Sequence, residues 1–174
     1  MSHVAAVGLS RAEIEDYAWQ IRKHFGLEKI NYFPILPFLE LAITRLYPDF
    51  DYVIEETSSM GSIEGMNCLG ERKIILPESV YEEAHGGGGR ARFTIAHEIG
   101  HFFLHPKERL SLNRSQLKLA AFIDPEWQAN EFAACLLMPK ELIAACHDVN
   151  TVVEAFGVSA AAAEYRMRRL GKKI

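Results

Sequence analysis

Apolar positions recur at helical spacing along most of this chain and form compact runs in only a few short stretches. Residues 10–25 carry Ile14, Ala18, Ile21 and Phe25 three or four apart, which gives a helix one apolar face. Ser10 stands at the N-cap with Glu13 three residues on, the spacing of a capping box, and Gly26 ends the segment. A second helix is predicted over residues 37–46, with Pro37 in its first turn. Residues 51–55, 63–69 and 73–76 read as short strands, the last two joined by a turn at Gly70-Glu71. Residues 79–84 form a helical turn before the glycine loop at 86–89. An apolar helix follows at 90–104, closed by Pro106, and then a polar stretch at 107–116. Asp124-Pro125 opens another helix, with Asp as cap and Pro at the first position, and Pro139 follows its end. It carries Ala129, Phe132, Ala133, Leu136 and Leu137. Helices at 142–147, 152–156 and 159–170 complete the chain. The pattern predicts an α+β fold, helices around a small three-stranded sheet. A single domain is expected over residues 1–174, with N-terminal helices at 9–50, a core at 51–140 and a C-terminal helical element at 141–174.

Composition narrows the class. The 174 residues are enough for one hydrophobic core, and 49% apolar with 24% charged residues is ordinary for a globular protein. Nineteen Lys and Arg against 23 Asp and Glu leave a net charge of −4, which gives no global attraction to nucleic acid. No apolar run approaches the roughly 20 residues that span a bilayer. Met1-Ser2-His3-Val4 shows no charged-then-apolar export pattern, and Cys68, Cys135 and Cys146 are odd in number. A cytoplasmic location with free thiols is therefore expected.

The chemistry concentrates at His97-Glu98-Ile99-Gly100-His101, the pattern H-E-x-x-H. On a helix, residues four apart lie on one face, about 6 Å apart along the axis. Two imidazoles so placed can share one Zn²⁺, and Glu98 beside them can take a proton from water. Ile95, Ala96, Ile99, Phe102 and Phe103 make this helix apolar, so it should be buried. A buried helix with two His and one Glu needs partners for them, and a metal supplies these. Gly100 suggests a close approach by a neighbouring element, since glycine otherwise weakens a helix.

Catalytic zinc usually takes three protein ligands. The extended motif with a third histidine is absent, for Leu104 and Lys107 occupy its glycine and histidine positions. His105 lies about 12 Å along the axis from His97, a long span for one ion. Glu126 opens the next strong helix, although an acid there also simply complements the helix dipole. Glu131 points away from it, and Cys135 sits among core residues. Residue chemistry alone favours Glu126 without closing the other choices.

Residues 90–101 resemble the active-site helix of the ImmA/IrrE metallopeptidase family. Residues 126–139 resemble its second motif: an acid, then Ala-Asn, then Phe-Ala, then Leu-Leu-Met-Pro. Phe156-Gly157-Val158-Ser159, with Ala162-Ala163 and Arg166, resembles its C-terminal element. The resemblance implies a soluble, gluzincin-like zinc endopeptidase with a zincin-type helix packed on a small mixed sheet. It implies His97, His101 and Glu126 as ligands and Glu98 as the general base. It further implies that the substrate is a helix-turn-helix repressor, cleaved to relieve repression. An edge strand within residues 63–76 would be placed to pair with an extended substrate. His105, Tyr165 and Arg166 are candidates for stabilising the oxyanion.

Two other readings stay open. The helix-turn-helix outline at 151–170, with Arg166, Arg168, Arg169, Lys172 and Lys173, suits a DNA-binding regulator. Against it, the second helix begins with Ala160 to Ala163 and offers few side chains to read bases, so direct nucleic-acid binding is not expected. A non-catalytic zinc module that sequesters a regulator would carry the same motif.

Overall fold

A computed structural model describes residues 3–68, 72–106, 110–113 and 120–172. The helix α1 (Arg11–His24) starts as its sequence predicts: Ser10 Oγ accepts from the Glu13 backbone, and the Glu13 carboxylate accepts from the Ser10 backbone. Its face of Ile14, Ala18 and Ile21 is buried. The predicted second helix is composite. It runs as α2 (Ile35–Pro37), a π-helical stretch (Phe38–Ile43) and α3 (Thr44–Leu46). Here Phe38, Leu39 and Ile43 all turn inward.

Three strands form one mixed sheet: β2 (Asp51–Glu55), β3 (Met66–Cys68) and β4 (Lys73–Pro77), in the order β2-β4-β3. Between β2 and β3 lies a short helix, α4 (Thr57–Met60). The central strand β4 runs parallel to β2, with Asp51 opposite Lys73, and antiparallel to β3, with Met66 opposite Ile75. Ile74 and Leu76 of β4 point into the core, the period-2 alternation of a half-buried strand. The turn predicted at Gly70-Glu71 lies outside the described residues. Beyond expectation, β1 (His3–Ala6) pairs antiparallel with β5 (Leu110–Asn113), inside the stretch whose composition is merely polar.

Helix α5 (Glu78–His85) leads to α6 (Gly89–Leu104), which carries H-E-x-x-H, and a 3-10 turn (Ala121–Ile123) leads to α7 (Pro125–Leu137). These two long helices are the most extensively packed pair. Gly100 lies at their contact, where a Cβ would stand 3.2 Å from the Ala129 backbone. Shape complementarity through small residues thus brings the start of α7 beside the middle of α6.

The shorter helices α8 (Lys140–Ile143), α9 (Val149–Phe156) and α10 (Ala160–Arg169) close the fold. Gly157 caps α9 in the left-handed conformation, φ 61°, and Val158 is buried. The turn between α9 and α10 is seated on the first residue of α6: a Cβ at Gly89 would lie 2.5 Å from the Val158 carbonyl carbon. Ser159, which caps α10, is part of that contact. Farther along α10, Ala163, Arg166 and Met167 are buried.

Candidate metal centre

The site grows from α6. His97 and His101, one turn apart, bring their Nε2 atoms to 3.0 Å from each other. The start of α7 supplies the third group. Asp124 accepts a hydrogen bond from the Glu126 backbone (3.0 Å), and Pro125 opens the helix, so the first turn is fixed where the two helices meet. Glu126 then lays its carboxylate across both histidines, with Oε2 3.3 Å from His97 Nε2 and Oε1 3.3 Å from His101 Nε2. Its side chain is 69% exposed, whereas the two rings are largely enclosed. Among the described residues, these three form the one group of His, Cys, Asp and Glu able to hold a metal ion together.

Donor chemistry and spacing fit such an ion. Ligand atoms placed tetrahedrally at about 2.0–2.2 Å from a metal stand about 3.3–3.6 Å apart, and each Nε2 lies 3.3 Å from one of the two carboxylate oxygens. Two imidazoles and one carboxylate are also the ligand types of open, three-ligand sites.

Electrostatics point the same way. The imidazoles of His101 and His97 beside it hold the Glu126 carboxyl far below the usual carboxylate range, against the effect of burial. Burial works against the charged form of His97. The hydrogen bond to Glu126, helped by Glu98 and Asn130, outweighs it and raises the His97 pKa. Both shifts favour positive charge at the centre of the triangle.

Glu98 occupies a different setting. It is 6% exposed, and burial raises its pKa while the neighbouring histidines oppose the rise. Gly65, just before β3, lies against it: a Cβ there would fall 2.8 Å from Glu98 Cγ. Arg90 of α6 pairs with Glu64, which ties this segment to the helix. The carboxylate thus sits between the two histidines' helix and the edge strand of the sheet.

The other candidates separate cleanly. Glu131 is buried and paired with Arg11 at 3.3 Å. Cys135 is in the core, with its thiol pushed up to about 12 by burial. Arg166 donates to the Met138 carbonyl and to Glu15, at the opposite end of α7 from Glu126, and so is committed away from the site. His105 is buried beside His101, Nδ1 to Nδ1 at 3.0 Å, and its pKa is pushed down to about 4 by burial. It is neutral near pH 7. Tyr165 is exposed on α10.

Two polar residues at the site are not among the candidate site residues read from the sequence. Asn130, the Asn of the Ala-Asn pair in the second motif and one turn after Glu126, places Oδ1 3.1 Å from His97 Nδ1. Gln128 places Oε1 2.9 Å from His105 Nε2. A glutamine on a helix otherwise lined with Ala and Leu is its only mark in the sequence.

A comparison with curated proteins gives no match. A comparison with family models gives one: the peptidase M78 model, described as the IrrE N-terminal-like domain, matches residues 63–168. That span is more than half of the chain and contains α6, α7 and the edge strand β3. The chain belongs to the IrrE N-terminal-like domain family, peptidase M78, and its function is of the metal-dependent peptidase type.

Proposed function

We propose that this protein is a zinc endopeptidase acting in the cytoplasm on a helix-turn-helix transcriptional repressor, in which His97, His101 and Glu126 hold the metal and Glu98 is the general base. The observation that carries the reading is the convergence of two imidazoles and a carboxylate beside a buried carboxylate of the same helix, in a chain of this family. The three-motif resemblance to the ImmA/IrrE family supports the choice of substrate. Among the described residues no helix is long and apolar enough to cross a membrane.

When bound, zinc supplies Lewis acidity, acidifying water and polarising a peptide carbonyl. The remaining work belongs to the chain. An extended substrate strand pairs with β3, the edge strand among the described residues, and so brings its backbone across Glu98. Glu98 accepts a proton from the attacking water as the oxygen bonds to the carbonyl carbon. The C–N bond then breaks, and Glu98 returns the proton to the leaving nitrogen. Its burial suits the first step, because a carboxylate with a raised pKa is the stronger base.

The test is Glu98→Gln, co-produced with a helix-turn-helix repressor from the same genome. The amide keeps the side chain's shape but accepts no proton, so zinc content and fold should persist while cleavage falls by about 10²–10⁴-fold. The wild type should shorten the repressor and relieve repression. Equal relief by wild type and Glu98→Gln, with the repressor intact, would instead identify a module that acts by sequestering its partner.

A further inference from the structure

We propose that His105 and Gln128 are positioning residues: they form a hydrogen-bond relay that holds His101 in the tautomer whose Nε2 lone pair faces the metal site. The inference rests on the reading of His101 as a metal ligand.

The relay begins at groups with no choice of role. The carbonyl oxygens of Val7 and Phe122 can only accept. Gln128 Nε2 lies 2.9 Å from the first and 2.7 Å from the second, so both amide hydrogens are used and the orientation of the side chain is fixed. Gln128 Oε1 is therefore the end that faces His105, and it is an acceptor. His105 Nε2, 2.9 Å away, must carry the hydrogen. His105 is 2% exposed and its ring lies against Gln128 and His101, with no carboxylate among these partners to balance a second proton, so its Nδ1 is left with a lone pair. That atom lies 3.0 Å from His101 Nδ1, which must then be the protonated nitrogen. His101 is left with a lone pair on Nε2, the atom that faces His97 and Glu126. Reversing either ring would set two hydrogens or two lone pairs against each other in a buried space, which costs about 1–3 kcal/mol per unmet group.

The backbone explains why the relay is rigid. His105 is the C-cap of α6, and its amide donates to the His101 carbonyl at 3.0 Å, so its ring is held over the ligand's ring. Gln128 is fully buried two residues after Glu126, and one of its carbonyl partners, Phe122, also accepts from the Leu9 backbone. One glutamine thus joins the N-terminal segment, the approach to α7 and the end of α6 to a single imidazole. A histidine with no such partner exchanges between tautomers, and one of them presents a hydrogen to the metal.

The experiment uses the full chain stripped of metal with a chelator. Side-chain ¹H–¹⁵N spectra of the wild type near pH 7.5 should show His101 protonated at Nδ1 and His105 protonated at Nε2. A spectrum with His101 protonated at Nε2 overturns the relay. Zinc affinity is then measured by chelator competition. His105→Phe keeps the ring and removes the acceptor, and it should bind zinc about 10–100-fold more weakly. His105→Asn can return an acceptor oxygen near the position of Nδ1 and should recover most of the loss. Wild-type affinity in His105→Phe, or no recovery in His105→Asn, overturns the proposal. Should His105→Phe fail to fold, the wild-type spectrum decides alone. Failure of the wild type to bind zinc would sink the metal reading under Proposed function, and the tautomer spectrum would still decide the relay.

Discussion

Glu126 shows how one exposed residue can matter to a site and hardly at all to the fold. Its side chain is 69% exposed and, among the described residues, its ion pairs are with the two histidines. Exposed ion pairs contribute about 0–1 kcal/mol, since solvent screens them and ordering the side chains costs entropy. Glu126→Ala should therefore leave the melting temperature of the metal-free protein almost unchanged. On the proposed reading, the same substitution removes one of three ligands. Zinc affinity by chelator competition should fall by more than the about 10–100-fold that loss of an outer partner costs. Unchanged affinity in Glu126→Ala would remove it from the ligand set.

Helix α6 is held at two points by glycines, and the two differ in what they tolerate. At Gly100 a Cβ would meet Phe132 Cδ1 at 3.1 Å and Ala129 backbone atoms at 3.2 Å. The crowding is slight, and alanine gains about 1 kcal/mol of helix propensity at this interior position. Gly100→Ala should be close to neutral. At Gly89 a Cβ would lie 2.5 Å from the Val158 carbonyl carbon and 2.6 Å from the Ser159 nitrogen. Those are backbone atoms, which cannot rotate aside, and Gly89 is the first residue of the helix, where propensity gains little. Gly89→Ala should lose about 1–3 kcal/mol, the usual cost of overpacking, in urea unfolding. Equal stabilities for the two variants would contradict the close seating of the α9–α10 turn on α6.

Across the whole molecule, three buried arginines join segments far apart in the chain. Arg22 of α1, wholly buried, donates to the carbonyls of Leu136 (2.7 Å), Leu27 (2.9 Å) and Ile30 (2.6 Å). Arg92 of α6 donates to Gly157 and Phe33, both at 2.9 Å, with Tyr32 stacked 3.7 Å from its guanidinium. Arg166 of α10 donates to Met138 at 3.0 Å. Leu136, Gly157 and Met138 lie at or just past helix C-termini, where carbonyls lack intrahelical partners. Burial lowers the Arg22 pKa only to about 10, so it stays charged at neutral pH and its bonds are the stronger charge-assisted kind. Arg22→Met keeps the apolar stem and removes the donors. It should cost about 3 kcal/mol in urea unfolding, with fold and metal binding retained at low denaturant. A cost below about 0.5 kcal/mol would show that water replaces the guanidinium.

Features that depend on near neighbours in the chain are legible in the amino-acid sequence. The capping box of Ser10 and Glu13, the start of α7 at Asp124-Pro125 and the placing of His97 and His101 on one helix face follow from helix periodicity and from caps that act over three or four residues. The strand at residues 51–55 is equally plain. What the spacing of residues does not encode is pairing across long separations. β1 and β5 are each four residues long and about a hundred residues apart, and the alternation Leu110-Ser111-Leu112-Asn113 is too short to name its partner. The π-helical stretch Phe38–Ile43 arises where packing places Phe38, Leu39 and Ile43 inward together, against the ordinary helical period. Within the site, the histidine pair is contained in one pentapeptide. The meeting of Glu126 and Asn130 with that pair, and the turning of His105 towards His101 and Gln128, require α6 and α7 to pack through Gly100 and Ala129. Local sequence determined which side chains were available on each helix face; close packing of two helices, a long-range contact that no local pattern contains, decided which of them face one another.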